Sequence, residues 1–109
     1  MKVEHLSTHE VEQARQTLVR ELVADSGAEW ASEYQPGSAG YHELLDRAAL
    51  VSDMLERHIV AHPACVARPE WYALAEQAAA ALRQLYQQVG AEHLAVESSH
   101  AGSPNGVPR

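Results

Sequence analysis

Hydrophobic positions recur at spacings of three and four along most of the chain, which is the pattern of amphipathic helices. The first such stretch follows Ser7, which forms a possible capping box with Glu10. It carries Val11, Ala14, Leu18 and Leu22 and ends before Gly27, a residue suited to the left-handed position after a helix. We predict a helix over about residues 8–25.

A second stretch predicts a helix over about residues 41–62. Its apolar stripe consists of Tyr41, Leu44, Ala48, Val51, Leu55 and Ile59. The opposite face pairs Glu43 with Arg47 and Asp53 with Arg57, acid before base at a spacing of four, which supports an exposed helix surface. Pro63 ends the helix, because the residue before a proline disfavours the α conformation.

The third helix is predicted over about residues 69–91, with Pro69 in its first turn. Its apolar positions form a heptad-like seam of Trp71, Ala75, Ala78, Leu82, Leu85 and Val89. The alanine run at 78–81 permits another helix to approach closely. Gly90 either ends this helix or costs it about 1 kcal/mol if the helix continues through Ala91 and Glu92.

The fold class predicted from these stretches is all-α. A six-residue turn joins helices of roughly 33 Å, which predicts a long antiparallel helical hairpin. With the first helix it would form a single three-helix domain over residues 1–95, and the chain is either a monomer or a dimeric helical bundle. Residues 96–109 are rich in Ser, Gly and Pro without periodicity, so we predict a disordered tail.

The charge balance argues against some partners. With 8 basic and 15 acidic residues the formal net charge is −7, which disfavours nucleic acid and anionic membrane surfaces. No apolar run is long enough to span a bilayer. A single cysteine excludes an internal disulfide, and together with the absence of a signal peptide it leads us to expect a cytoplasmic protein.

Two histidines four residues apart, His58 and His62, form the candidate metal site. This spacing places two imidazoles on one side of a helix, where they can chelate a metal ion. The glutamate of a metalloprotease motif is absent, since Ile59 stands in its place. The alternative is that His62 binds the last carbonyls of its own helix as a cap.

No catalytic arrangement is visible in the sequence. Cys65 lies near both histidines but within an apolar segment, so we interpret it as a small packed residue rather than a nucleophile. The carboxylates lie on presumed solvent faces, and no phosphate-binding loop is present. We therefore predict that the protein is not an enzyme and requires no cofactor.

The function that remains is binding to another protein. We expect a small acidic regulator, adaptor or inhibitor that acts through its helical surfaces and forms a homodimer, because one covering helix would leave apolar residues of the hairpin exposed. The alternative is a metal- or cofactor-binding bundle that uses His58 and His62. The candidate interface residues are Leu74, Ala78, Ala81, Leu82 and Leu85.

Overall fold

The all-α prediction is confirmed by the structure, a computed structural model that describes residues 7–101, with side chains through residue 96. Its helices are α1 (Thr8–Ser26), α2 (Ala39–Leu55), α3 (Pro63–Val66) and α4 (Pro69–Ala101). A 3₁₀ turn occupies Trp30–Glu33, and a π-helical turn, Glu56–Val60, directly continues α2. None of the described residues lies in a strand.

The chain divides into two compact units, Met1–Glu33 and Tyr34–Arg109, where the sequence predicted one domain over residues 1–95. Pro36 and Gly37, which precede the cap of α2, lie shortly after this division. In the first unit, α1 begins with the predicted capping box between Ser7 and Glu10 and ends at Gly27, whose φ is 91°. None of the α1 residues is buried.

The second unit contains the predicted antiparallel hairpin of α2 and α4. Ser38 begins α2, because its hydroxyl accepts a hydrogen bond from the backbone amide of Tyr41 at 3.2 Å. Near one end of the hairpin Leu45 packs beside Gly90, and further along Glu56 pairs with Arg83. The residue numbers of the two helices run in opposite directions along this contact, as an αα-hairpin requires.

Helix α4 extends ten residues beyond the end predicted at residue 91. Gly90 does not terminate the helix but lies within α4, close to Leu45 of α2. The predicted disordered tail therefore has to be corrected for residues 96–101, which are helical. The remainder of that tail, residues 102–109, lies outside the described residues.

The core of the hairpin is small. Val60, Ala75 and Ala79 form a buried cluster, against which Leu55 and the half-buried Cys65 pack. Among the described residues, no large side chain is fully buried. Alanines at the contact allow α2 and α4 to approach closely, but they remove little apolar area from water.

The predicted seam of α4 is also corrected. Ala75, Ala79 and His93 are buried in the hairpin and Leu82 is half-buried, whereas Trp71, Ala78 and Leu85 of the predicted seam are exposed. The face of α4 that meets α2 is thus rotated from the predicted one. The sequence alone did not distinguish the two faces because alanine and leucine occur on both.

Candidate interaction surface

Many of the exposed apolar residues of the hairpin lie on one side of it, whereas Leu50, Tyr72, Tyr86 and Leu94 are exposed outside this group. On α4, residues at a heptad spacing from Trp71 to Leu85 fall within a sector of about 80°, next to the sector that faces α2. On α2 and the π-helical turn, the corresponding sector adjoins it across the hairpin. We call this surface the apolar side; it consists of Leu44, Val51, Met54, Ile59, Trp71, Leu74, Ala78, Ala81 and Leu85.

The large residues of the apolar side are each about half exposed. The exposed fraction is 45% for Trp71, 45% for Leu85 and 51% for Val51. A shallow groove on the same side is lined by Val51, Met54, Leu55, His58 and Ile59. Contiguous apolar surface of this kind is uncommon on monomeric proteins and marks sites of interaction.

The opposite side of the hairpin is charged. Arg83 of α4 pairs with Glu56 of the π-helical turn and lies 3.8 Å from a carboxylate oxygen of Glu76. The groove beside these residues also contains Asp53 and Gln87. This groove therefore combines charged side chains with the exposed ring of Tyr86, and its chemistry differs from that of the apolar side.

All five residues predicted as an interface lie on α4. Leu74, Ala78, Ala81 and Leu85 belong to the exposed apolar side. Leu82 is half-buried at the edge next to α2, so it contributes to the hairpin contact as well. The structure thus places the predicted residues on one surface, and their role as an interface stays a prediction.

Trp71 marks the end of the apolar side near the turn. The guanidinium carbon of Arg68 lies 4.3 Å from the centre of the Trp71 ring, a cation–π arrangement. The same guanidinium donates to a carboxylate oxygen of Glu70 at 2.7 Å, and this hydrogen bond lowers the pKa of Glu70. Arg68 is a poor capping residue by type. Its side chain lies over the Trp71 indole and is fixed there by the hydrogen bond to Glu70.

The structure separates the two predicted metal ligands into different elements. His58 lies within the π-helical turn, and His62 follows it as the cap of α3. The imidazole Nδ1 of His62 accepts a hydrogen bond from the backbone amide of Ala64 at 3.0 Å. His62 therefore caps the helix that follows, not the one that precedes it as the alternative interpretation had it. Metal binding by this pair stays a prediction.

Among the described residues, no group of three or more His, Cys, Asp or Glu side chains is arranged to hold a metal ion. Nor is any described helix both long enough and apolar enough to cross a membrane.

The carboxyl pKa that is displaced most belongs to the exposed Glu12. Hydrogen bonds from Arg15 and Gln16 lower it to about 2. The ion pair of Glu12 and Arg15 thus stabilises α1 at its exposed surface.

The burial of one histidine was not predicted from the sequence. His93 is 5% exposed, and its Nδ1 accepts a hydrogen bond from the backbone amide of Gly37 at 3.0 Å. Its ring also stacks near Tyr41, with centroids 6.2 Å apart. Continuing the spacing of Ala75, Ala79 and Leu82 past Gly90 leads to position 93. Knowing which face of α4 contacts α2 would therefore have predicted that His93 is buried.

Comparison with protein-family models, with curated proteins and with solved structures gives no match for this chain. The interpretation of its function therefore depends on the two-sided helical hairpin and its surfaces.

Proposed function

We propose that this chain is a non-catalytic protein-binding protein of the cytoplasm, a small acidic regulator, adaptor or inhibitor whose binding surface is the apolar side of the hairpin. We further propose that this surface binds a second copy of the chain, so that the protein is a homodimer. The observation that carries the proposal is the exposed apolar side itself, to which residues of both antiparallel helices contribute.

The area of the apolar side suits an interface of ordinary size. Covering the exposed halves of its large side chains removes on the order of 400 Å² of apolar surface per copy. A standard interface buries about 800 Å² per partner, a little over half of it apolar. The apolar side supplies most of the apolar share of such an interface.

The small core of the hairpin supports the same proposal. Among the residues of this unit whose side chains the structure describes, Val60 and three alanines are the buried apolar ones, while larger residues such as Trp71 and Met54 remain about half exposed. Pairing two apolar sides places these residues in the centre of a four-helix bundle, where side chains from facing helices fill the core. The isolated hairpin leaves that burial incomplete.

The test is the molar mass of the full chain in solution. Light scattering coupled to gel filtration near 10 µM is expected to give twice the 11.9 kDa of one chain. A mass of one chain at that concentration would contradict self-association through this surface.

Matched variants locate the interface. Leu85→Glu places a charge on the apolar side at a residue already 45% exposed, so the hairpin keeps its fold while the dimer dissociates at least tenfold more readily. Gln87→Glu adds the same charge two residues away, beside the charged groove, and leaves the mass unchanged. Circular dichroism verifies equal helix content in both variants.

A further inference from the structure

The apolar residues of α4 are arranged nearly symmetrically about Ala78. Trp71 and Leu85 lie seven residues before and after it, and Leu74 and Leu82 lie four residues before and after it. In either direction, two large apolar residues are followed by alanine at the centre and then by two more large apolar residues. A surface with this order is complementary to itself when one copy is reversed.

The geometry points to antiparallel pairing of α4 with α4 of a second copy, on a two-fold axis that passes beside Ala78. This inference rests on the proposed function, because it specifies how two apolar sides meet. A two-fold interface uses the same patch on both copies, so residue i meets residue j and j meets i. Trp71 then lies against Leu85 of the second copy, and Leu74 against its Leu82.

Alanine at the axis determines how near the two helices come. Ala78 faces Ala78 of the second copy, which permits an interaxial distance near the lower end of the usual range of about 8–10 Å. Packing the same helices in parallel would place Trp71 against Trp71 and Ala78 against Ala78. The indoles would then separate the helices and leave the alanine layer unfilled, which close-packed interiors avoid.

Charge distribution favours a second copy as the occupant. Between Trp71 and Gln88 the charged residues of α4 are Glu76 and Arg83, and both lie on the charged side of the hairpin. The apolar side of α4 thus has no charge over this length. In a chain of net charge −7 it is a surface on which two copies meet without opposing carboxylates.

The second helix of the hairpin adds to the same contact. Val60 packs with Ala75 and Ala79, so the π-helical turn lies level with the region of α4 around Ala78. Met54 and Ile59, which flank this level on the apolar side, are 49% and 51% exposed. The same two-fold axis therefore brings the apolar residues around the π-helical turns of both copies together.

Disulfide formation between introduced cysteines tests the register in the full chain. In a Cys65→Ser background, Ala78→Cys places two thiols at the axis, within the separation that a disulfide spans. Mild oxidation is expected to cross-link this variant at least tenfold faster than Ala80→Cys, an exposed alanine outside the apolar side. Circular dichroism before oxidation verifies that both variants fold.

A second pair of variants tests the direction of the helices. Trp71→Cys and Leu85→Cys should cross-link slowly alone and at least tenfold faster when the two proteins are mixed. Rapid cross-linking of Leu85→Cys with itself would overturn the antiparallel register. A dimeric mass without cross-linking at residue 78 would overturn the register and leave the proposed function standing, whereas a monomeric mass would overturn both.

Discussion

His93 and Gly37 are joined by a hydrogen bond across fifty-six residues of sequence, with the imidazole Nδ1 accepting from the glycine amide at 3.0 Å. Gly37 directly precedes Ser38, whose hydroxyl caps α2. The bond therefore ties the residue before the α2 cap to the far part of α4. It also accounts for a buried polar side chain in a hairpin whose other buried residues are apolar.

Replacing His93 by alanine should destabilise the protein by about 2–3 kcal/mol, because the change removes a packed ring and leaves the Gly37 amide without its acceptor. Urea unfolding followed by circular dichroism measures the loss. His42→Ala is the matched control, since His42 lies beside the same ring but its side chain is 68% exposed. Equal stability of the two variants would show that the bond contributes nothing.

Gly37→Ala should also destabilise the protein, by about 1–3 kcal/mol. The φ of Gly37 is 89°, where an L side chain is strained. A Cβ added there would lie 2.9 Å from Cγ1 of Val96. Thermal unfolding compares this variant with the wild-type chain. An unchanged melting temperature would contradict the positive φ of Gly37 and its close approach to Val96.

Gly90→Ala should instead stabilise the protein, by up to about 1 kcal/mol. Alanine favours the helix interior over glycine, and an added Cβ would make ordinary contact with Leu45 at 3.7 Å. The measurement is the midpoint of urea unfolding. A decrease in stability would indicate that α4 ends near residue 90, as the sequence alone had suggested.

Ala79→Asp should be among the most disruptive single changes, at a cost of several kcal/mol. Ala79 has no exposed surface, so the new carboxylate would be buried without a partner between α2 and α4. Ala80→Asp introduces the same group one residue away at an exposed position and should alter the melting temperature little. Similar melting temperatures of both variants would refute the placement of Ala79 on the face of α4 that contacts α2.

The pKa of Glu12 should be found near 2 by carbon NMR of its side-chain carboxyl. Hydrogen bonds from Arg15 and Gln16 stabilise the charged form, and Arg15→Gln should return the pKa toward 4.5, the ordinary value for a glutamate. A lowered pKa means that the pair stabilises α1 above about pH 4.5 and that this contribution is lost as the pH falls toward 2. An unaltered pKa in the variant would show that Arg15 is not the main cause.

Features set by a few neighbouring residues were predictable from the sequence. The capping box of Ser7 and Glu10 and the start of α4 at Pro69 depend on local hydrogen bonds and on the fixed φ of proline. The hairpin itself followed from two long periodic stretches joined by a short turn. The caps depend on one or two turns of helix, and the hairpin depends on a pattern that repeats along each helix.

Other features depend on contacts that periodicity does not specify. Ala75 and Ala79 face α2 while Ala78 is exposed, and three alanines so close in sequence give no hydrophobic contrast by which to choose the face. Gly90 lies inside α4 beside Leu45, a contact that the periodicity of α4 does not specify. The π-helical turn and the bond between His93 and Gly37 likewise arise from how the two helices meet.

The alanine contact between α2 and α4 has a consequence for how the sequence can vary. At Ala48, Ala75 and Ala79 every replacement except glycine adds volume to a place where two helices touch. Overpacking typically costs about 1–3 kcal/mol, because side chains and backbone must shift to make room. Most cores are damaged by losing atoms, whereas this hairpin is damaged by gaining them, so a deep mutational scan should find these three positions intolerant of nearly every substitution.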